Sequence, residues 1–262
     1  MSETRSARVT VPPVTAARAA RAVGPAALAA MVALQVASGI SAEPVRFTGI
    51  VVAVLAVSAI GFAAAGWGAG RTLAAFGAVV AAGYAAEAVG VRTGFPFGEY
   101  HYTGLLWPQL GGVPVVVALA WGGMGLAAYG VAVAVTTGGA RIAVGALALT
   151  AWDLFLDPQM VGLGLWTWAV QGAYRGVPLT NFAGWLLVSA LAMLLLERIL
   201  GGGQSHQARP PRGLAGLYTT MAVMETVGFA AVFQPPDPLV AVAGGMSMGA
   251  FAALAWRRLW RK

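Results

Sequence analysis

A chain of 262 residues that is 59% hydrophobic and 10% charged is not a soluble domain, since such domains carry about 25% charged residues. It has no cysteine, which excludes a disulfide framework, a thiol nucleophile and a thiolate metal site, and its two histidines, His101 and His206, are too separated to form a histidine-rich metal centre. The formal charge of +7 resides mainly at the two ends and in one loop, a membrane-topology signal rather than a nucleic-acid surface.

Residues 1–22 carry Arg5, Arg8, Arg18 and Arg21 among Ser, Thr, Pro and Ala and read as a disordered basic tail. The apolar stretch that follows has no small-residue cleavage site after it, so it reads as an uncleaved first helix rather than a signal peptide. With roughly 20 apolar residues per span, the sequence predicts spans at 23–41, 46–67, 71–90, 113–135, 140–157, 181–200, 213–233 and 238–256. The expected fold is an all-α, polytopic membrane helix bundle of about eight transmembrane helices. It forms one domain over 23–256, and a basic tail, 257–262, follows. An amino terminus on the cytoplasmic side puts all but Arg46, Arg92 and Arg175 of the 16 basic residues on that face, as the positive-inside rule requires. Omitting a span would strand Arg257, Arg258, Arg261 and Lys262 on the wrong side. The expectation is a multi-pass protein of the cell membrane with both termini cytoplasmic.

Two long outer connections, 91–112 and 158–180, are rich in Gly, Pro and aromatics. The second, with Gly162-Leu-Gly-Leu-Trp-Thr-Trp168, is too apolar for open water, and both are expected to fold back as re-entrant or interfacial caps. Trp107, Trp166 and Trp168 read as interface anchors. The stretch 201–212 reads as a flexible polar linker. A short echo also runs through the chain: Gly112-Val113-Pro114 leads to Trp121, Gly176-Val177-Pro178 leads to Trp185, and each follows a span with an acid near its outer end, Glu87 and Asp153. A duplication and chance are both open readings of it.

The densest chemistry lies between Glu87 and Tyr102. Of the nine acidic residues, Glu3, Glu43, Glu197 and Asp237 sit in the tail or at helix ends. Glu87, Asp153 and Glu225 do not. At 1.5 Å per residue they lie about 24, 18 and 18 Å from the inner ends of their spans, all in the middle or outer half of the bilayer. Asp153 and Asp157, spaced i, i+4, share one helix face. Isolated acids at this depth cost several kcal/mol and either pair, protonate or line a cavity. Pairing with Arg92 or Arg175 is one reading, and Asp157-Pro158 ending the fifth helix is another. Three acids at one level beneath two aromatic loops favour a polar cavity near the outer leaflet. Gly66/Gly70 and Gly245/Gly249 are spaced for helix packing. His101 reads as a lipid-headgroup contact. No phosphate-binding Gly loop, nucleotide fingerprint or Asp-rich magnesium motif is present.

Glu87-x-x-Gly90-x-x-Thr93-Gly94-x-Pro96-Phe97-Gly98-x-Tyr100-x-Tyr102, then Gly112-Val113-Pro114, Asp153-x-x-x-Asp157-Pro158 and Gly176-Val177-Pro178-x-x-Asn181-Phe182 together resemble the membrane carotenoid-biosynthesis family. Its members include bisanhydrobacterioruberin hydratases and carotenoid 1,2-hydratases. The resemblance covers about residues 80–190. It implies a carotenoid substrate in contact with membrane lipid, other carotenoid-biosynthesis enzymes as partners, and the addition of water across a terminal isoprenoid double bond of a linear or monocyclic carotenoid. An acid would protonate the alkene, aromatic faces would stabilise the cation, and a second polar group would position water. No redox cofactor, metal or nucleic acid enters such a reaction. In this reading Asp153 or Glu87 donates the proton, Glu225 or Asp157 positions water, and Tyr100, Tyr102, Trp121 and Trp185 flank the cation. Asn181 bonds the water or the new hydroxyl. A membrane carotenoid cyclase would use the same acids. A non-enzymatic carotenoid-binding or proton-coupled transport protein would use them as a relay. A retinal Schiff-base protein is excluded, because the only lysine is Lys262.

Overall fold

The computed structural model describes residues 14–201 and 212–261; the first thirteen residues and most of the expected linker, with His206, lie outside them. Eight α-helices follow in chain order: α1 (Val14–Gly39), α2 (Val45–Trp67), α3 (Ala69–Thr93), α4 (Val115–Val135), α5 (Ala140–Gly162), α6 (Leu179–Leu200), α7 (Arg212–Val227) and α8 (Pro238–Trp260). Among the described residues seven are long and apolar enough to cross a membrane. The eighth is α5, whose apolar run is interrupted by Asp153 and Asp157. The helix α1 begins at Val14 and takes in residues 14–22, which the sequence reading gave to the disordered tail. That stretch is mostly Ala and Arg, both good helix formers.

The centre of the bundle is α4, on which α2, α3, α5, α7 and α8 all pack. Close approach is possible because α4 is studded with glycine. A Cβ at Gly123 would meet Leu55 at 2.5 Å, and one at Gly130 would meet Leu214 at 2.4 Å. Where lipid offers no hydrophobic drive between helices, such backbone proximity supplies the packing. One end of the bundle is tied by basic residues. Arg71 donates to Ile199 O at 2.6 Å, Arg212 donates to Leu259 O at 3.2 Å, and Arg141 pairs with Glu197 at 3.3 Å. Tyr129 donates to that same glutamate at 2.6 Å.

At the opposite end α5 does not stop at Asp157-Pro158, as one sequence reading allowed, but runs on to Gly162. A proline inside a helix leaves the carbonyl four residues earlier without its N–H partner. That carbonyl is Leu154 O, and the Tyr174 hydroxyl donates to it at 2.9 Å. Helix α7 ends in a π-turn, Gly228–Val232. Asp237 caps α8 through the Leu239 and Val240 N–H groups and pairs with Arg175.

The two outer connections are not independent caps. Each contributes a three-residue strand, β1 (Tyr100–Tyr102) and β4 (Trp166–Trp168), and the two strands pair antiparallel, Tyr100 with Trp168 and Tyr102 with Trp166. A second ribbon, β2 (Gln109–Leu110) with β3 (Val113–Pro114), leads into α4.

The echo in the sequence is laid out spatially. Glu87 and Asp153 stand on α3 and α5, Pro114 and Pro178 are the N-caps of α4 and α6, and Gly112 and Gly176 precede them at φ 86° and 85°. Contacts are reciprocal: α3 packs on α6 as α5 packs on α4. The Thr103 N–H bonds Leu165 O at 2.9 Å, and the Ala169 N–H bonds Glu99 O at the same distance. Between these two halves, Trp121 and Trp185 stack with ring centroids 4.2 Å apart.

Candidate functional site

The alternation of a strand sorts its side chains. In β1 and β4 this turns Tyr100, Tyr102, Trp166 and Trp168 inward, and puts His101 and Thr167 outside, where they bond each other at 2.8 Å. The inward set roofs a small cavity closed from below by Trp121 and Trp185 and on the sides by Phe97, Val117, Ala120, Leu156, Glu87, Asp157 and Asn181. Its volume is about 20 Å³, room for one water molecule.

Glu87 reaches the cavity from α3. Its Oε2 accepts from the Tyr100 hydroxyl and, at 2.7 Å, from the Tyr102 hydroxyl; its Oε1 accepts from Trp121 Nε1 at 3.1 Å. Three side chains therefore donate to this carboxyl. Burial, and then the charge of Glu87, push both tyrosine hydroxyls well above the ordinary phenol value of 10.0, so they stay protonated donors.

Asp157 on α5 faces the same space. Its Oδ1 accepts from Trp166 Nε1 at 3.1 Å, and its Oδ2 accepts from the Asn181 amide of α6. The same amide nitrogen donates to Asp153 Oδ2 at 2.8 Å. Asp153 is fully buried one turn deeper and does not reach the cavity wall. Two carboxyl groups on one face of α5 are thus joined through one amide.

The arginine pairings considered from sequence are not formed. Arg92 donates to Ala88 O of its own helix, and Arg175 pairs with Asp237 at 2.5 Å. Among the described residues the ion pairs lie away from Glu87, Asp153 and Asp157. Nor are any three His, Cys, Asp or Glu residues among them placed to hold a metal ion.

Of the nine residues singled out from sequence, the cavity wall holds Glu87, Asp157, Tyr100, Tyr102, Trp121, Asn181 and Trp185, and Asp153 joins through Asn181. Glu225 does not take part. It is buried on α7, off the cavity wall, with Oε2 meeting no donor. Depth along a span, the argument that grouped it with Asp153, says nothing of which way a helix turns its side chain. Trp166 and Trp168 were read as interface anchors, yet both are buried in the cavity roof; Trp107, 85% exposed, keeps the anchor's position. The missed signal was the spacing itself. Tyr100 and Tyr102 follow Glu87 at the same intervals by which Trp166 and Trp168 follow Asp153.

The bisanhydrobacterioruberin hydratase of Haloarcula japonica is 38% identical over 122 residues, which cover 44% of this chain and 41% of that protein. The chain thus matches less than half the length of that relative. No solved structure matches the chain. Residues 47–251 match the family described as carotenoid biosynthesis protein, a stretch that runs from α2 well into α8 and takes in the whole cavity. This multi-pass membrane protein belongs to the carotenoid biosynthesis protein family.

Proposed function

We propose that the protein is a carotenoid hydratase, adding water across a terminal isoprenoid double bond of a linear or monocyclic carotenoid. The observation that carries this reading is two acid groups facing one water-sized, aromatic-walled cavity, one acid wrapped in donors and the other tied to a second acid.

Two carboxyl groups held by one amide in a dry site are best accommodated by one proton between them. Asp157, on the wall, delivers that proton to the less substituted alkene carbon, and Asp153 shares the charge left behind. The π electrons form the new C–H bond, which leaves a tertiary carbocation beside the faces of Tyr100, Trp121 and Trp185, where cation–π attraction lowers its energy. Water attacks the cation through an oxygen lone pair. Glu87, oriented as an acceptor by Tyr100, Tyr102 and Trp121, takes the proton that the new oxonium loses. Return of that proton to the aspartate pair completes the cycle. No electrons are exchanged with a partner, so the reaction needs no redox cofactor. The roles differ from the sequence expectation: Asp157 rather than Asp153 or Glu87 donates the proton, Glu87 receives the proton from the bound water, Asn181 joins the two aspartates, and Glu225 takes no part.

A cavity of about 20 Å³ takes water but not an isoprenoid end. The apolar sector of Val117, Ala120 and Leu156 is where the wall parts to admit it, with the polyene lying along the lipid-facing helices. In this reading both termini lie on the cytoplasmic side of the cell membrane and the cavity toward the outer leaflet, an orientation that the distribution of basic residues supports. The test is to express Glu87→Gln and Asp157→Asn variants in a host that makes a linear carotenoid. Both should accumulate normally and yield little or no hydroxylated pigment; full product from either would overturn the assignment.

A further inference from the structure

We propose that the last two turns of α8 form a binding site for the headgroup of an anionic phospholipid, at the end of the bundle opposite the cavity. Ala253, Trp256, Arg257, Trp260 and Arg261 line an open recess of about 690 Å³, within the size range of small-molecule sites. Their intervals of three and four residues put all five side chains on one face of the helix. The helix also sets their depth. Pro238 begins α8 at the cavity end, next to the Arg175–Asp237 pair. At 1.5 Å per residue Trp256 lies about 27 Å beyond it and Arg261 about 34 Å. These depths fall on either side of the ~30 Å thickness of a bilayer's hydrocarbon core. Indoles toward the core and guanidinium groups beyond it follow the order in which a phospholipid presents its glycerol and its phosphate.

Charge selects the occupant. Among the described residues neither Arg257 nor Arg261 forms an ion pair, and Glu197, the acid nearest this end, is taken by Arg141 and Tyr129. The helix end does not account for both arginines. A cation at a helix C-terminus is favourable, but the Leu259 carbonyl already accepts from Arg212 at 3.2 Å, and Arg258 adds its charge in the same turn. The back of the recess is fixed, since Trp256 Nε1 donates to Thr219 Oγ1 of α7 at 2.9 Å. Trp260, 79% exposed, stands beside it with ring centroids 6.1 Å apart. A small soluble anion would use the guanidinium groups and leave Trp260 bare, and a second copy of this chain would bring like charge. A glycerophospholipid covers both features. Its phosphate oxygens accept from Arg257 and Arg261, while its glycerol and upper acyl chain lie on the indoles. Net negative charge is required, because basic pockets at the membrane surface take anionic headgroups and a choline cation is repelled.

A site on one face predicts a selectivity that diffuse surface charge does not. The full chain, purified in detergent, is titrated with dioleoylphosphatidylglycerol or dioleoylphosphatidylcholine, and native mass spectrometry reads the fraction carrying one lipid. Phosphatidylglycerol should bind about tenfold more tightly, and an excess of ammonium phosphate should not displace it. Removing both guanidinium contacts, by Arg257→Gln with Arg261→Gln, should weaken phosphatidylglycerol about tenfold or more and leave phosphatidylcholine unchanged. Arg258→Gln deletes the same charge from the same turn but off the recess, and should cost less than about twofold. An equal loss in Arg258→Gln would mean diffuse charge and overturn the site. Displacement by phosphate would mean a soluble anion and overturn the lipid as occupant. Where the double variant does not accumulate the wild type decides alone: equal binding of the two lipids overturns the proposal.

Discussion

Gly90 stands three residues after Glu87 on the same face of α3, directly under the Tyr100 ring. A Cβ there would lie 2.7 Å from the Tyr100 hydroxyl, 3.0 Å from Phe97 and 3.2 Å from the Tyr100 ring edge. Ordinary contact begins at 3.4 Å, so the hydroxyl must retreat by about 0.7 Å, which stretches and weakens its bond to Glu87. For stability, Gly90→Ala gains about 1 kcal/mol of helix propensity and loses about 1–3 kcal/mol to overpacking, so the protein should remain folded. For the reaction, one hydrogen bond to a charged group contributes about 1.5–3 kcal/mol, so about 10- to 100-fold in turnover is the ceiling set by Tyr100→Phe, and the stretched bond of Gly90→Ala should cost about threefold to tenfold. The assay is hydrated pigment per folded protein in a host supplying a linear carotenoid, for wild type, Gly90→Ala, Tyr100→Phe and the double variant. Tyr100→Phe removes the atom with which the new methyl collides, so Gly90→Ala should cost less than about threefold in that background. Wild-type activity in Gly90→Ala, or penalties that multiply in the double variant, would refute the reasoning.

Asn181→Leu keeps the side-chain volume but removes the amide between Asp153 and Asp157; it should abolish hydration and lower stability by about 1–3 kcal/mol, read as a fall in the thermal midpoint in detergent. Glu225→Gln should retain activity within about twofold, because Glu225 lies off the cavity wall; a loss like that of Glu87→Gln would place it back in the site. Slight burial opposes ionisation of Asp237, but the Arg175 hydrogen bond and the Val240 N–H hold its carboxyl below the ordinary 3.8. Its contribution is therefore present above pH 3.8 and is lost as pH falls through the lower folded value. Asp237→Ala should cost about 0.5–2 kcal/mol at neutral pH, and denaturation curves should converge with wild type only in stronger acid.

The helix count was legible because seven of the eight helices are long apolar runs, and the eighth, α5, differs from them mainly by its two aspartates. Glu87, Asp153 and Asp157 were legible because a carboxyl in such a run is costly and therefore placed for a reason. What composition cannot carry is direction. Glu225 shares the depth of Asp153 yet turns into a different part of the bundle. The strands β1 and β4 are three residues each, too short for a period-two pattern to stand out, and they pair across 66 positions. Trp166 and Trp168 therefore looked like headgroup anchors until the pairing turned them inward. Pro158 looked like a helix end because its remedy, the Tyr174 hydroxyl on Leu154 O, comes from a loop sixteen residues on.

The central claim is that water is added to a carotenoid end, and oxygen-18 labelling tests it most directly. Membranes carrying the protein are incubated with a linear carotenoid in ¹⁸O-water and the pigments analysed by mass spectrometry. The account predicts a product heavier by one water for each end modified, with the label in a tertiary hydroxyl. A product isomeric with the substrate, as cyclisation would give, or an unaltered pigment would contradict it.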